Sequence, residues 1–235
     1  MNFADLHRWE LDPTEARALQ TELARKVDTR TPLGDWQTVA AADVSYNKYS
    51  EWLYAAVVVV EARTFAVVER AGYVGKADFP YIPGLLSFRE APAVLEAFRK
   101  LAHAPDVVMC DGQGIAHPRR FGLACHVGLW LGLPAVGCAK SLLCGKYEEP
   151  GPEKGDRSPL VDKGEVVGSV VRSRARVNPL YVSPGHLCDL EGAVGVVLAN
   201  AVKHRLPVPS QMAHNYVNEL RRAAGEGAAT PPEAG

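Results

Sequence analysis

The chain has no long hydrophobic run. No apolar stretch reaches the ~18 residues that a membrane-crossing helix requires, so no span is expected. The N-terminus, MNFADLHRWELD, has neither the charged start nor the apolar run of a secretory signal, and the expected location is the cytoplasm. Charge of one sign is also missing. With 26 Lys and Arg against 27 Asp and Glu, the formal net charge is −1. That excludes a global basic field for nucleic acid and leaves room only for a local patch. Cysteine is sparse, at 5 residues, with no CxxC pair. Cys110, Cys125 and Cys138 sit in apolar runs. Small buried hydrophobes in a reducing compartment are therefore expected ahead of disulfides or a zinc site. No internal repeat is present. What remains is 235 residues, 47% hydrophobic and 23% charged, enough for one domain with a sizeable core.

Hydrophobic periodicity predicts helices over 13–27, 87–102, 121–131, 190–204 and 211–222. In the second of these, Ser87 reads as the N-cap and Glu90 as its capping-box partner. Strands are predicted over 38–47, 53–60, 64–74, 107–111 and 134–140, with further extended segments at 165–174 and 180–183. The short linker 61–63 suggests an antiparallel hairpin. PYIPG, at 80–84, holds two prolines and a glycine and cannot be regular structure. The order is three strands in a hairpin series, then helix, strand, helix, strand and more helix. It predicts an α/β fold whose mixed sheet is flanked by helices, as one domain over residues 1–222. The tail 223–235, rich in Gly, Ala and Pro, is expected to be disordered.

Within this pattern VVMCDGQG, at 107–114, stands out. A buried strand ends on a carboxylate, Asp111, and glycines follow at 112 and 114. Asp43 lies near the end of the first strand. If these strands are parallel neighbours, both carboxylates project at one sheet edge, where open α/β sheets bind ligands. Converging carboxylates repel unless a cation neutralises them, and hard oxygen ligands suit magnesium or manganese. Asp43, Asp111 and Glu90 are the candidate set. Taken singly, Asp43 could be a strand-end cap and Glu90 only a capping-box residue; their joint placement favours the metal. Gly112 and Gly114 permit positive φ and the close approach of a ligand, or else make a plain strand-to-loop turn. DGQG is not GxGxxG and no Walker lysine follows, so a nucleotide cofactor is disfavoured. Lys140, ending a strand, could reach a phosphate. His117, Arg119 and Arg120 form the one basic cluster beside Asp111.

These stretches together resemble the endonuclease V family of deoxyinosine-directed repair nucleases, which have a ribonuclease H-like fold. The resemblance is carried by DVSY at Asp43, PYIPGLLSFRE ending at Glu90, DGQGIAHPRRFGLACHVG from Asp111, VGCAKSLL from Val136, YVSPGH from Tyr181 and the Ala213-His214 pair. They run in family order through nearly the whole chain. The resemblance implies magnesium, with manganese as a possible substitute, bound by Asp43 and Asp111. Glu90 completes the acidic set, His214 assists beside it, and Lys140 joins the catalytic group. Tyr81, Ile82 and Pro83 belong to the family's wedge, which enters the duplex, and His117 is counted among the DNA contacts. Gly84, Leu86, Gly112, Gly114, Gly122 and Leu123 are expected to border a pocket for the flipped base.

The implied reaction is hydrolysis of the second phosphodiester 3′ to a deaminated base, leaving 3′-hydroxyl and 5′-phosphate, by a monomer acting on DNA containing deoxyinosine. Inosine-containing RNA is a rival substrate, because a 2′-hydroxyl contact cannot be read from one sequence. A lesion-binding module without turnover is a rival of another class. The three acids argue against it, since a pure binder has no need of them beside a phosphate.

Overall fold

The computed structural model describes residues 3–225. Eight strands form one sheet: β1 (Thr38–Ser45), β2 (Trp52–Glu61), β3 (Val67–Lys76), β4 (Val107–Cys110), β5 (Ala135–Ala139), β6 (Arg157–Asp162), β7 (Glu165–Val171) and β8 (Leu180–His186). Their order is β3-β2-β1-β4-β5-β8-β7-β6. β4 runs parallel to both β1 and β5, and the remaining neighbours are antiparallel. Four helices flank the sheet, α2 (Leu86–Arg99), α3 (Leu123–Leu131), α4 (Leu190–Asn200) and α5 (Val208–Ala223), while α1 (Pro13–Ala24) packs outside them, its Leu23 against Cys125 and Leu129 of α3.

The near-continuous apolar strands have a simple cause: helices cover the central sheet on both faces. Alternate residues of β1 serve the two layers. Ala40 and Ala42 pack with α2 and α3 around Phe98, Val94 and Trp130. Val39 and Ala41 face the other way, into a core with Val194 and Val197 of α4 and Ala213 of α5. All five cysteines are free, and all but Cys144 are buried, as the apolar context predicts.

Some boundaries differ from expectation. β6 is not among the predicted strands; it is the outermost strand, its residues alternate between exposed and buried, and it contains Pro159, which an edge position tolerates. α4 stops at Asn200 rather than 204, and α5 starts at Val208 beside Pro207. The capping box expected at Ser87 is absent. α2 begins at Leu86, Leu85 holds the N-cap position, and no side chain caps it. Helix α5 ends at Ala223, and the rest of the expected tail, from 226 on, lies outside the described residues. Among the described residues no helix is long and apolar enough to cross a membrane.

Candidate active site

The parallel pairing of β1 and β4 puts Ala42 opposite Cys110. The ladder continues one step further, with the Asp111 N–H donating to the Ala42 carbonyl at 3.1 Å. Asp43 and Asp111 therefore leave adjacent strands at the same edge, as the strand order required. Asp43 is buried. Burial, followed by the charge of Asp111, raises its carboxyl above the ordinary carboxylate range, against the pull of His214 and Lys140. His214, projecting from α5, places Nδ1 2.9 Å from Asp43 Oδ2. Asn218, one turn on, donates from Nδ2 to His214 Nε2 at 3.1 Å. That leaves Nδ1 as the protonated nitrogen, donating to Asp43. Lys140, just past β5, is hydrogen-bonded through Nζ to Asp111 Oδ2. Burial pulls the ammonium down, but the bond to Asp111 and the charges of Asp111 and Asp43 outweigh it, so Lys140 stays protonated above its usual range.

Glu90 lies on the first turns of α2. Burial pushes its carboxyl up to about 7, opposed by a hydrogen bond from Tyr46 and reinforced by Asp111 and Asp43. The Tyr46 hydroxyl donates to Glu90 Oε1 at 2.6 Å. Sequence reading missed Tyr46, although it sits in the quoted DVSY. Among the described residues no three His, Cys, Asp or Glu side chains converge as a metal cage. The residues that could hold a cation are the Asp43 and Asp111 pair, whose mutual repulsion such an ion would relieve. Magnesium, which keeps several waters and is bound through one or two carboxylates, matches a donor set of that size.

A cavity of about 350 Å³ opens over this edge, lined by Asp43, Glu90, Asp111 and Lys140 at one side. Gly84, Leu86, Gly112, Gly122 and Leu123 line it as expected, and so do Ser87, Gln113, Phe121 and the 141–143 segment, which were not foreseen. Helices α2 and α3 both start at its wall, and neither has a side-chain cap. The Phe88 N–H is taken by the Leu85 carbonyl and the Ala124 N–H by the Gln113 carbonyl, both at 3.0 Å; the other N–H groups of an uncapped first turn have no acceptor within the helix.

Several expectations need correction. Gly114 does not line the cavity. A Cβ there would stand 1.9 Å from the Pro184 carbonyl oxygen, so packing of the DGQG turn against β8 demands the glycine. A Cβ on Gly122 would likewise meet the Gln113 carbonyl oxygen at 2.2 Å. Neither Gly112 nor Gly114 has positive φ; Gly84 does, at 78°. His117 lines the cavity, but as a neutral ring rather than a charged phosphate contact. It is buried, Nε2 lies 3.0 Å from the Gly84 carbonyl, and Nδ1 accepts from the Arg119 N–H at 3.1 Å. Burial, aided by Arg119, lowers it to about 4, so it is neutral. Arg119 binds Gln20 and the Gly84 carbonyl, and Arg120 is paired with Asp162 at 2.7 Å and Glu165 at 2.9 Å. The cluster is a clamp on the PYIPG loop and on β6–β7 rather than a basic patch. Within that loop Ile82 packs inward beside Phe79, Leu85 and Phe88, while Pro83 is exposed. The half-buried Tyr81 packs edge-on to Tyr46, ring centroids 6.3 Å apart.

A mixed sheet with this strand order, carrying an acidic pair at the ends of adjacent parallel strands below an open cavity, defines a nuclease of the ribonuclease H-like class. The sequence profile of the Endonuclease V family matches residues 21–215. The chain belongs to the endonuclease V family, and is an enzyme that hydrolyses phosphodiester bonds. It is 47% identical to endonuclease V of Myxococcus xanthus over 225 residues, 95% of this chain and 96% of that one. The crystal structure of endonuclease V from Streptomyces avermitilis superposes with a TM-score of 0.87 at 41% identity, covering 94% of this chain and 96% of that one. Endonuclease V of Ciona intestinalis, in complex with a 24mer DNA containing an inosine followed by a ribo-adenosine, is 26% identical with a TM-score of 0.78, covering 90% of this chain and 98% of that one.

Proposed function

We propose that this protein is a magnesium-dependent endonuclease that takes a deaminated base, hypoxanthine, into its cavity and hydrolyses the second phosphodiester on the 3′ side, leaving 3′-hydroxyl and 5′-phosphate. Manganese is the expected substitute ion. The observation that carries the reading is the cavity itself: an acidic pair stands at one wall and the uncapped starts of α2 and α3 form another. The 6-keto oxygen of hypoxanthine accepts hydrogen bonds from free N–H groups. The 6-amino group of adenine would present a donor to donors, and a buried unpaired donor costs about 1–3 kcal/mol. The inosine-containing DNA held by the Ciona relative supports the same substrate.

A divalent cation held by Asp43 and Asp111 supplies Lewis acidity toward the phosphodiester and lowers the pKa of water. The chain's own residues prepare that site. His214 Nδ1–H fixes the orientation of the Asp43 carboxylate. Lys140 holds Asp111 and brings a positive charge to the wall where phosphate must lie. Glu90, titrating near neutrality, is suited to taking up or releasing a proton, and because Tyr46 occupies Oε1 the exchange falls to Oε2. Tyr81 and Pro83, in the loop whose Gly84 lines the cavity, form the rigid wedge against the stacked duplex.

Cleavage of inosine-containing RNA is a second reading, favoured by the ribonucleotide that follows inosine in the Ciona complex. Matched oligonucleotides of inosine DNA and inosine RNA, incubated with and without magnesium, decide between them. Magnesium-dependent cutting of the DNA at the second 3′ phosphodiester is expected. Cutting of RNA alone would transfer the reading to RNA, and cutting of neither would overturn it.

A further inference from the structure

At the active-site edge of the sheet, the loop that joins β1 to β2 and the first residue of β2 carry aromatic rings into solvent. Tyr49 is 91% exposed and Trp52 is 43% exposed. Exposed apolar groups that stand together, rather than scattered singly, mark interaction sites. These rings stand beside the wedge. Lys48 Nζ lies 5.5 Å from the Tyr49 ring centroid and 5.2 Å from that of Tyr81, so one cation links the two rings. Farther along the edge, Lys76 Nζ lies 5.9 Å from the Trp52 ring.

The loop is held in shape rather than left loose. The Ser50 N–H closes a turn on the Asn47 carbonyl at 2.9 Å, and Arg89 from α2 donates to the Ser50 carbonyl at 2.7 Å. Arg221 from α5 donates to Ser45 Oγ at 3.1 Å and also to Asn47 Oδ1. The acid of the segment, Glu51, is paired with Lys76 at 2.8 Å. Lys48 has no acidic partner among the described ion pairs. Exposed rings alternating with cations on a pre-formed loop match one ligand chemistry: unpaired bases, which stack by their faces, on a phosphate backbone.

We propose that Tyr49 and Trp52, with Lys48 between them and the wedge, form a stacking platform for an unpaired stretch of the DNA strand that leaves the cavity past Tyr81. The proposal rests on the reading of the site as one for DNA. It assigns the loop a contact beyond the flipped base, made without base specificity because every base has a stacking face.

The test follows tryptophan emission of the full-length protein during titration with single-stranded oligothymidylate and with a blunt undamaged duplex of equal length. Single strands are expected to quench Trp52, and the quench to vanish in Trp52→Leu. Tyr49→Ala should weaken oligothymidylate binding about five- to hundredfold, the range for losing one stacked base, with a much smaller loss on blunt duplex. Val166→Ser, an exposed apolar change on β7, is the control. Because Tyr49 and Trp52 are exposed, their variants should melt as the wild type does. Oligothymidylate affinity unmoved by Tyr49→Ala, or reduced equally on duplex, overturns the platform. Cleavage of inosine DNA is measured in parallel. A wild type that binds oligothymidylate through Tyr49 but leaves inosine DNA intact rejects the lesion reading and keeps the platform; the reverse result rejects the platform alone.

Discussion

Tyr46 donates its hydroxyl to Glu90 at 2.6 Å, joining the first residue after β1 to the start of α2 across the active-site edge. This bond opposes the burial that lifts the Glu90 carboxyl to about 7. Without it the carboxylate loses its best donor while Asp43 and Asp111 still repel it. Tyr46→Phe should therefore raise the Glu90 pKa by about one unit, the size expected for a hydrogen bond to a charged group. Carboxyl NMR titration of the metal-free protein measures this directly. The acid limb of the cleavage profile should move to higher pH with it, if ionised Glu90 is the active form. An unshifted Glu90 would mean that the phenol only packs there.

Asp111 has two attachments: the charge of Asp43 beside it and the ammonium of Lys140 on Oδ2. Asp111→Ala should abolish cutting and retain binding of inosine DNA, since removing a carboxylate lessens repulsion of phosphate. Cleavage assays and gel-shift titrations on the same preparation separate the two effects. Undiminished cleavage would remove Asp111 from the metal site.

Lys140 is committed to the acidic pair, and Arg119 and Arg120 are tied to other partners. Lys140→Ala should slow single-turnover cleavage about a hundredfold, as loss of one preorganised group facing developing charge does. The slope of log affinity against log salt should stay where it was. A fall in that slope of about 0.9, the value of one phosphate contact, would instead make Lys140 a backbone anchor.

His7 and His126 face each other in the interior, and burial lowers both below the ordinary histidine range. His7 Nδ1 donates to the Arg8 carbonyl at 2.7 Å, so its Nε2 must accept, and it lies 2.8 Å from His126 Nε2. The two facing nitrogens share one proton, and burial disfavours charge on either ring, as it does on His117, lowered to about 4. A depressed histidine pKa means that the unfolded chain binds more protons below about pH 6.5, so stability falls as pH drops from there. Glu90, raised by burial from 4.5 to about 7, and Asp43, also raised, act in the opposite sense within the same window and offset part of that fall. Urea unfolding should show wild-type stability falling between pH 6.5 and pH 4 at a slope of up to about 1.4 kcal/mol per pH unit for each histidine. His126→Phe should flatten that slope. An equal slope in the variant would locate the acid sensitivity elsewhere.

The sequence alone determined more of the site than of its surroundings. Strand periodicity and the hairpin series placed Asp43 and Asp111 at the ends of β1 and β4, because a sheet covered on both faces writes itself as apolar runs, and a carboxylate at their end is conspicuous. The motifs around Glu90 and His214 identified the family by resemblance. Tertiary structure decided what could not be periodic. Ser87 reads as a cap, but α2 starts one residue earlier, at the cavity wall, with no side chain capping it. His117, Arg119 and Arg120 read as a basic patch, yet burial and pairing with Gly84, Gln20, Asp162 and Glu165 turn them inward. Gly114 reads as room for a ligand, but the Pro184 backbone, 70 positions along the chain, is what needs the space. The hydrogen bond from Tyr46 to Glu90 depends on where a strand ends and a distant helix begins. Local patterning sets which face of an element is apolar; which polar group meets which is set by long-range packing, and that is where the chemistry of this site was decided.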